Sequence, residues 1–162
     1  MISPGVIEHR EIPEPGQLKD NEVLLRIKRI GVCGSDIHVF HGNHPATPYP
    51  VVQGHEYSAI VEATGKKVTK VKPGMRATAR PQLVCGECGP CKRGQYNACQ
   101  KLKVQGFQAP GVAQDLFVVP EDRIVVFPET MTLEQGAMIE PAAVGAHSTN
   151  RVPVLKGKNV VV

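Results

Sequence analysis

Four cysteines in one short segment are the residues whose types and spacing most clearly indicate chemistry. Cysteines two residues apart can turn back onto a single ion, and the glycines and proline between them supply tight turns. Four thiolates fill a tetrahedral zinc shell and leave no open position, which is the character of a structural site. The sequence therefore predicts a structural zinc site held by Cys85, Cys88, Cys91 and Cys99.

Two other uses of four cysteines are less favoured. A disulfide framework needs an oxidising compartment, and the first residues carry neither the basic start nor the apolar stretch of a secretory signal. An iron–sulfur cluster also takes four cysteines, but this spacing fits neither common ferredoxin pattern. We therefore favour zinc over disulfides or another metal, and we expect the protein to be cytoplasmic.

A second set of candidate ligands comes from distant parts of the chain: Cys33, His55, Glu56 and Glu140. Taken alone, a single cysteine is usually a small buried hydrophobe, and a His–Glu pair is more often a core or surface pair. Glu140 stands in an otherwise apolar stretch, where a carboxylate is costly unless it is paired or bound to a metal. A mixed, incomplete shell of Cys, His and Glu is typical of a catalytic zinc that keeps one position for water or substrate.

Short strands must position these residues. Glycine and proline are frequent, with 16 and 14 copies in 162 residues, and they separate stretches in which apolar and polar residues alternate. This pattern predicts an all-β barrel or sandwich. The predicted strands are 21–30, 57–64, 75–79, 113–119 and 123–127.

The pattern changes to helices near the end of the chain. Thr132 and Gln135 form a capping box, which predicts a short helix from there to about Ile139. Pro141 suits the first position of a second helix, which should run to about Asn150. The apolar run 159–162 reads as the opening of a buried parallel strand.

Composition excludes several classes of protein. Hydrophobic residues make up 41% and charged residues 21%, which are values of an ordinary globular domain. The net charge of +4 comes without a dense Lys/Arg block, and aromatic residues are only 4%, so we expect no nucleic-acid partner. No apolar run approaches the roughly 18 residues that cross a bilayer, so we expect no membrane partner.

Four motifs together resemble the zinc-dependent medium-chain dehydrogenases, the family of alcohol, polyol and threonine dehydrogenases. They are GVCGSDIH at 31–38, GHE at 54–56, the four-cysteine segment, and IEPAAVGAH at 139–147. The last motif looks most like the polyol branch. The resemblance implies a mainly β, GroES-like irregular β-barrel with a few short helices and a four-cysteine zinc lobe.

The resemblance also implies a division of the chain. Residues 1–152 would form the GroES-like catalytic domain, with the zinc lobe at about 84–101. Residues 153–162 would be a connector and the first strand of a truncated Rossmann domain. The Gly-rich dinucleotide turn of that domain is absent from the sequence, so we expect no cofactor-binding residue in this chain and a second domain in the parent protein.

The resemblance assigns roles to the second set of ligands. Cys33 and His55 would bind the catalytic zinc, and Glu56 would be a third ligand, either directly or in exchange with water. Glu140 aligns with a carboxylate that in some members binds the ion and in others holds its water. One departure is Ala59, which stands where the family's GHExxG motif has glycine. The extra methyl group should tighten packing without removing a ligand.

The implied reaction is reversible hydride transfer between a secondary alcohol and NAD or NADP. The alcohol would be a polyol or a sugar acid. Ser35 would take the proton of the zinc-bound alcohol, and His38 would pass it towards solvent; either could instead be an ordinary polar loop residue. The complete enzyme would carry two zinc ions per chain, act on a small-molecule alcohol or ketone, and form a homo-oligomer.

Four alternatives stay open at this point. The chain could bind zinc without activity, or belong to an enzyme with a threonine-type substrate. It could also be a zinc-ribbon nucleic-acid binder or a chaperonin-like barrel without enzymatic descent. A metal count separates the classes, because the dehydrogenase predicts two zinc ions per chain, the ribbon one and the chaperonin none.

Overall fold

The computed structural model describes residues 1–151, 157 and 159. Apart from position 159, the predicted strand 159–162 lies outside the described residues. The strands are β1 (Glu22–Ile30), β2 (Tyr57–Thr64), β3 (Arg76–Ala79), β4 (Gln82–Leu83), β5 (Lys103–Val104), β6 (Leu116–Pro120) and β7 (Ile124–Val126). The helices are α1 (Gly34–Phe40), α2 (Gly89–Lys92), α3 (Leu133–Ala137) and α4 (Ile139–Asn150), with 3₁₀ turns at Tyr96–Ala98 and Glu121–Arg123.

Five strands form one antiparallel sheet in the order β6-β1-β2-β3-β7. The sheet is open, because β6 and β7 are not paired with each other within the described residues. The mainly β architecture with short helices is therefore confirmed. The second strand begins and ends at the predicted residues, whereas the predicted strand 113–119 starts later, at Leu116.

The core lies on one face of this sheet. Val23 and Leu25 of β1 are fully buried, while Leu24 and Arg26 between and after them are half-buried. The predicted alternation is thus confirmed. Ala59, the departure from the family's glycine, is also fully buried and pairs with residues of both neighbouring strands.

The four-cysteine segment forms a lobe, residues 80–105, between β3 and β6. Its base is the two-stranded ladder of β4 and β5. The buried Arg123 fastens this base to the sheet. Its guanidinium donates from Nε and Nη2 to the carbonyl oxygen of Arg80 at 2.9 and 2.6 Å, and from Nη2 to Oε1 of Gln105 at 2.6 Å.

Two helical features differ from the predictions. The residues after β1 form α1, a helix that the alternation pattern did not predict. The helix starts here because the Asp36 carboxylate accepts a hydrogen bond from the Cys33 amide at 3.0 Å and caps the first turn. Pro141 is the third residue of α4 rather than the first. The position is tolerated because the first-turn amides of a helix have no partner within it.

Candidate metal centres

The four lobe sulfurs lie at the spacing of a single metal shell. All four Sγ atoms are within 4.8 Å of one another. The Sγ of Cys85 is 4.0 Å from that of Cys91 and 3.6 Å from that of Cys99. Sulfurs bound to zinc at roughly 2.3 Å in a tetrahedron lie about 3.8 Å apart. The four sulfurs therefore lie close to the spacing that a zinc ion requires.

Short helical turns hold these cysteines. Cys88 is the cap residue of α2, Cys91 lies within that helix, and Cys99 follows the 3₁₀ turn. Hydrogen bonds from the backbone amides of Gln100 and Cys91 lower the pKa of Cys88 to about 6. Burial raises the pKa of Cys91 to about 12. A cation in the lobe is what would hold the buried thiol in its ionised form.

The pairing of β1 with β2 brings a second group together. Ile30 at the end of β1 pairs with Tyr57 at the start of β2, so Cys33 after the first strand lies beside His55 and Glu56 before the second. One ligand atom of each of these three residues lies within 4.8 Å of the others. His55 and Glu56 are buried, with 5% and 7% of their surface exposed.

A glycine makes room for the carboxylate in this group. The amide of Gly31 donates to the backbone oxygen of Glu56 at 2.8 Å. A Cβ atom added at Gly31 would overlap the Oε2 atom of the same glutamate. Any larger residue at this position would displace the Glu56 side chain, so glycine here leaves the space that this carboxylate occupies.

Glu140 stands beside the group rather than in it. It is the second residue of α4, is half-buried, and does not lie within the 4.8 Å set formed by the other three residues. Burial raises the pKa of its carboxyl; the charge of His55 lowers this pKa and that of Glu56 raises it. The carboxyl is therefore near enough to both residues for their charges to act on it.

The two predicted proton-transfer residues lie on α1. Ser35 is half-buried and His38 is exposed. The helix thus starts at the candidate ligand Cys33 and carries His38 to the surface, which is compatible with a path for protons. Their roles stay predictions.

Asp36 is a functional candidate that the sequence analysis missed. Its Oδ2 accepts the hydrogen bond from the Cys33 amide, and its Oδ1 lies 3.8 Å from Nδ1 of His55. Both Oδ1 and Nδ1 are buried and have no hydrogen-bond partner among the described residues. One carboxylate thus contacts the backbone of one candidate ligand and faces the ring of another. The sequence signal that could have identified Asp36 is its position three residues after the helix cap Cys33, where a carboxylate can accept from the cap amide.

A groove of about 450 Å³ opens next to Glu140. It runs between α4 and the end of β3, and its walls include Thr78, Arg80, Val144 and His147. No residue of α4 is buried. A larger groove, of about 1410 Å³, separates the segment 7–15 from β1 and contains none of the candidate ligands.

Known proteins are similar to this chain in sequence and in fold. The alcohol dehydrogenase GroES-like domain family matches residues 19–129. L-galactonate-5-dehydrogenase of Escherichia coli is 37% identical over 157 residues, which are 97% of this chain and 45% of that relative. Galactitol-1-phosphate dehydrogenase of Escherichia coli superposes with a TM-score of 0.85 at 32% identity, over 92% of this chain and 43% of that chain.

A solved structure with a bound dinucleotide is equally similar. It is a Sinorhizobium meliloti protein described as a zinc-binding dehydrogenase bound to NADP, with a TM-score of 0.85 and 32% identity over 94% of this chain and 44% of that one. The chain therefore belongs to the zinc-dependent medium-chain dehydrogenases and forms their GroES-like domain. It spans less than half the length of these relatives.

No helix in the described part of the chain is both long and apolar enough to cross a membrane.

Proposed function

We propose that this chain is the zinc-binding, alcohol-activating part of a dehydrogenase that interconverts a secondary alcohol and a ketone with NAD or NADP. The observation that carries the proposal is a pair of unequal clusters of metal-ligating side chains, one of four cysteines and one of Cys33, His55 and Glu56. Four thiolates close a shell, whereas three mixed ligands leave a position for the substrate oxygen. We propose residues 1–152 as the GroES-like domain and 153–162 as the start of a dinucleotide-binding domain.

The three mixed ligands would hold the ion and leave one face open. Cys33 and His55 come from different strand ends, and the glycine at position 31 leaves room for the Glu56 carboxylate. A zinc ion bound there supplies Lewis-acid stabilisation of an alkoxide oxygen. Glu140, at the edge of the site, would bind water or exchange with Glu56 as a ligand.

The chain would also manage the proton that an alcohol loses on oxidation. A secondary alcohol gives a hydride to the nicotinamide and a proton to the protein or solvent. Ser35 would accept the proton from the substrate hydroxyl, and the exposed His38 would pass it to water. Histidine suits the second role because its ordinary pKa lies near neutrality.

Polyols and sugar acids are the substrate class that we propose. The relatives named above act on L-galactonate and galactitol-1-phosphate by their names, and both substrates are polyhydroxylated chains. We further propose that the protein is cytoplasmic, since free thiolates for zinc need a reducing compartment. We also propose that the complete enzyme is a homo-oligomer.

Metal counting tests the proposal. The purified chain is expected to hold two zinc ions, as measured by inductively coupled plasma mass spectrometry. Cys33→Ser and His55→Ala should each remove one ion, and Cys88→Ser should remove the other. A chain that holds a single ion, retained in Cys33→Ser and lost in Cys88→Ser, would contradict the second site and favour a structural zinc module.

A further inference from the structure

We propose that the side chain of Phe107 couples the two metal sites, so that an ion in the four-cysteine lobe strengthens metal binding at the Cys33, His55 and Glu56 site. The inference rests on the two sites of the proposed function. It adds a positioning residue that belongs to neither ligand set.

The Phe107 ring packs against two imidazole rings. Its ring is stacked on His44, with centroids 4.7 Å apart and an angle of 12° between the planes. Its other neighbour is the candidate ligand His55, at a centroid distance of 5.0 Å and an angle of 46°. Nδ1 of His44 is 2.7 Å from the hydroxyl of Thr47. Phe107 therefore packs against the anchored His44 ring and also against the ring of the candidate ligand His55.

The support comes directly from the lobe. Phe107 sits in a tight turn after β5, where the carbonyl oxygen of Val104 accepts hydrogen bonds from the amides of Phe107 and Gln108, both at 3.1 Å. The Gln108 side chain accepts from the Val104 amide at 3.0 Å and donates to the backbone oxygen of Ala46 at 3.1 Å. The turn and the last strand of the lobe thus form one connected unit.

The ladder at the base of the lobe is short, and the cysteines reinforce it. Gln82 and Leu83 pair with Val104 and Lys103, which is the whole ladder. A two-stranded ladder of this length is marginal by itself. Cys85 follows one strand and Cys99 precedes the other, with their sulfurs 3.6 Å apart. An ion that joins these sulfurs would hold the two strands together and, through β5, the turn that carries Phe107.

The turn that carries Phe107, together with β5, would control the orientation of the His55 ring. The second torsion of a histidine has a broad, shallow profile, so neighbours must fix the plane of the ring. Asp36 faces Nδ1 at 3.8 Å and Phe107 packs against the ring. Residues that orient a metal ligand typically contribute 10–100-fold to metal affinity. Loosening of the turn should therefore weaken binding at the mixed site without any change in its ligands.

Cobalt titration tests the coupling, with the cysteine-to-cobalt absorption band as the readout. The probe is Co²⁺, added to the 162-residue chain after the lobe has been loaded with zinc. Each titration is repeated in a Cys33→Ser background, and the difference isolates the mixed site. Phe107→Leu is expected to weaken this Cys33-dependent binding by about tenfold. The matched control is Phe117→Leu, on β6 opposite Leu25, which should leave the affinity unchanged.

Two further variants follow the route from the lobe. Gln108→Ala keeps every metal ligand and Phe107 but removes the ties to Val104 and Ala46, and it should also weaken cobalt binding. Cys88→Ser should weaken Cys33-dependent cobalt binding as well. The Cys88→Ser/Phe107→Leu double variant should bind cobalt as tightly as the weaker-binding of the two single variants, because both substitutions act on the same support. Circular dichroism checks that each variant is folded, and Phe107→Met replaces Phe107→Leu if that variant is not.

The outcomes separate this inference from the proposed function. Cys33-dependent cobalt binding that is equally tight in wild type, Phe107→Leu and Gln108→Ala would overturn the coupling and leave the metal site intact. Strictly additive losses in the double variant would show that Phe107 supports His55 independently of the lobe, which also overturns it. Absence of any Cys33-dependent binding in the wild-type chain would overturn the proposed site itself.

Discussion

At the scale of single residues, the Asp36 carboxylate contacts two of the candidate metal ligands. Its Oδ2 accepts from the Cys33 amide, which fixes the start of α1, and its Oδ1 faces Nδ1 of His55. A carboxylate beside one ring nitrogen favours the tautomer with the proton there. The other nitrogen, Nε2, is then the one left to bind an ion.

Replacement of this carboxylate should therefore weaken the mixed site. We expect Asp36→Asn to lower zinc affinity at the Cys33, His55 and Glu56 site by 10–100-fold, measured by competition with a chromogenic chelator. The matched control is Asp20→Asn, which alters an exposed carboxylate paired with Lys67 at 3.0 Å and should have no effect. Equal affinities in the two variants would argue against a positioning role for Asp36.

At the scale of secondary-structure elements, those of the lobe are too short to be stable without a bound metal ion. Strands β4 and β5 have two residues each, and α2 has four. Such pieces contribute little stability of their own. The lobe therefore derives its structure from the ion that its cysteines would bind and from its attachment to the sheet.

Loss of a lobe cysteine should destabilise the fold. Cys88→Ser is expected to lower the free energy of unfolding by several kcal/mol, because the binding energy of a structural zinc is folding energy. The readout is urea denaturation of the zinc-loaded chain. Cys33→Ser is the natural comparison, since it removes a ligand from the open site, and its effect should be much smaller. An unchanged midpoint for Cys88→Ser would refute the structural assignment.

The attachment of the lobe can be tested separately. Arg123→Met removes the buried donors to the Arg80 carbonyl and to Gln105. Buried acceptors left without partners cost about 1–3 kcal/mol each, so we expect a loss of about 3 kcal/mol in the same denaturation measurement. Arg93→Met, an exposed arginine within the lobe, should change the free energy of unfolding by less than about 0.5 kcal/mol. Similar losses for both variants would contradict the role of Arg123 in attaching the lobe to the sheet.

At the scale of the whole molecule, an exposed helix lies next to the candidate metal centre. Helix α4 has no buried residue, and Val144 on the wall of the groove is 57% exposed. Glu140 at the start of this helix lies beside the candidate ligands. In the relatives, more than half of the length lies outside the part that this chain matches. We predict that dinucleotide binding belongs to that other part.

Calorimetry with NAD and NADP tests this division. We expect no measurable binding by the 162-residue chain, because its sequence contains no G-x-G-x-x-G turn to receive the pyrophosphate. The Sinorhizobium meliloti relative, which was solved with NADP bound, is the positive control. Micromolar binding by this chain would place a cofactor site within these residues and refute the division.

Local patterns determined much of this protein. Alternation of apolar residues predicted β2 to the residue and β1 to within one residue, because the pleat of a strand imposes a period of two on any half-buried sheet. The cysteine spacing predicted the lobe, since ligands close in sequence need only tight turns to meet. Thr132 and Gln135 likewise form the predicted capping box.

Tertiary structure alone decided the contacts between distant residues. Cys33 meets His55 and Glu56 through the register of β1 with β2, and Glu140 stands outside that group, although the sequence suggested all four as ligands. The positions of Asp36 and Phe107 against His55 follow from a helix cap and from a turn far along the chain. Such contacts depend on how strands pair and lobes dock, and no local pattern encodes the distance between two segments until the whole sheet has formed.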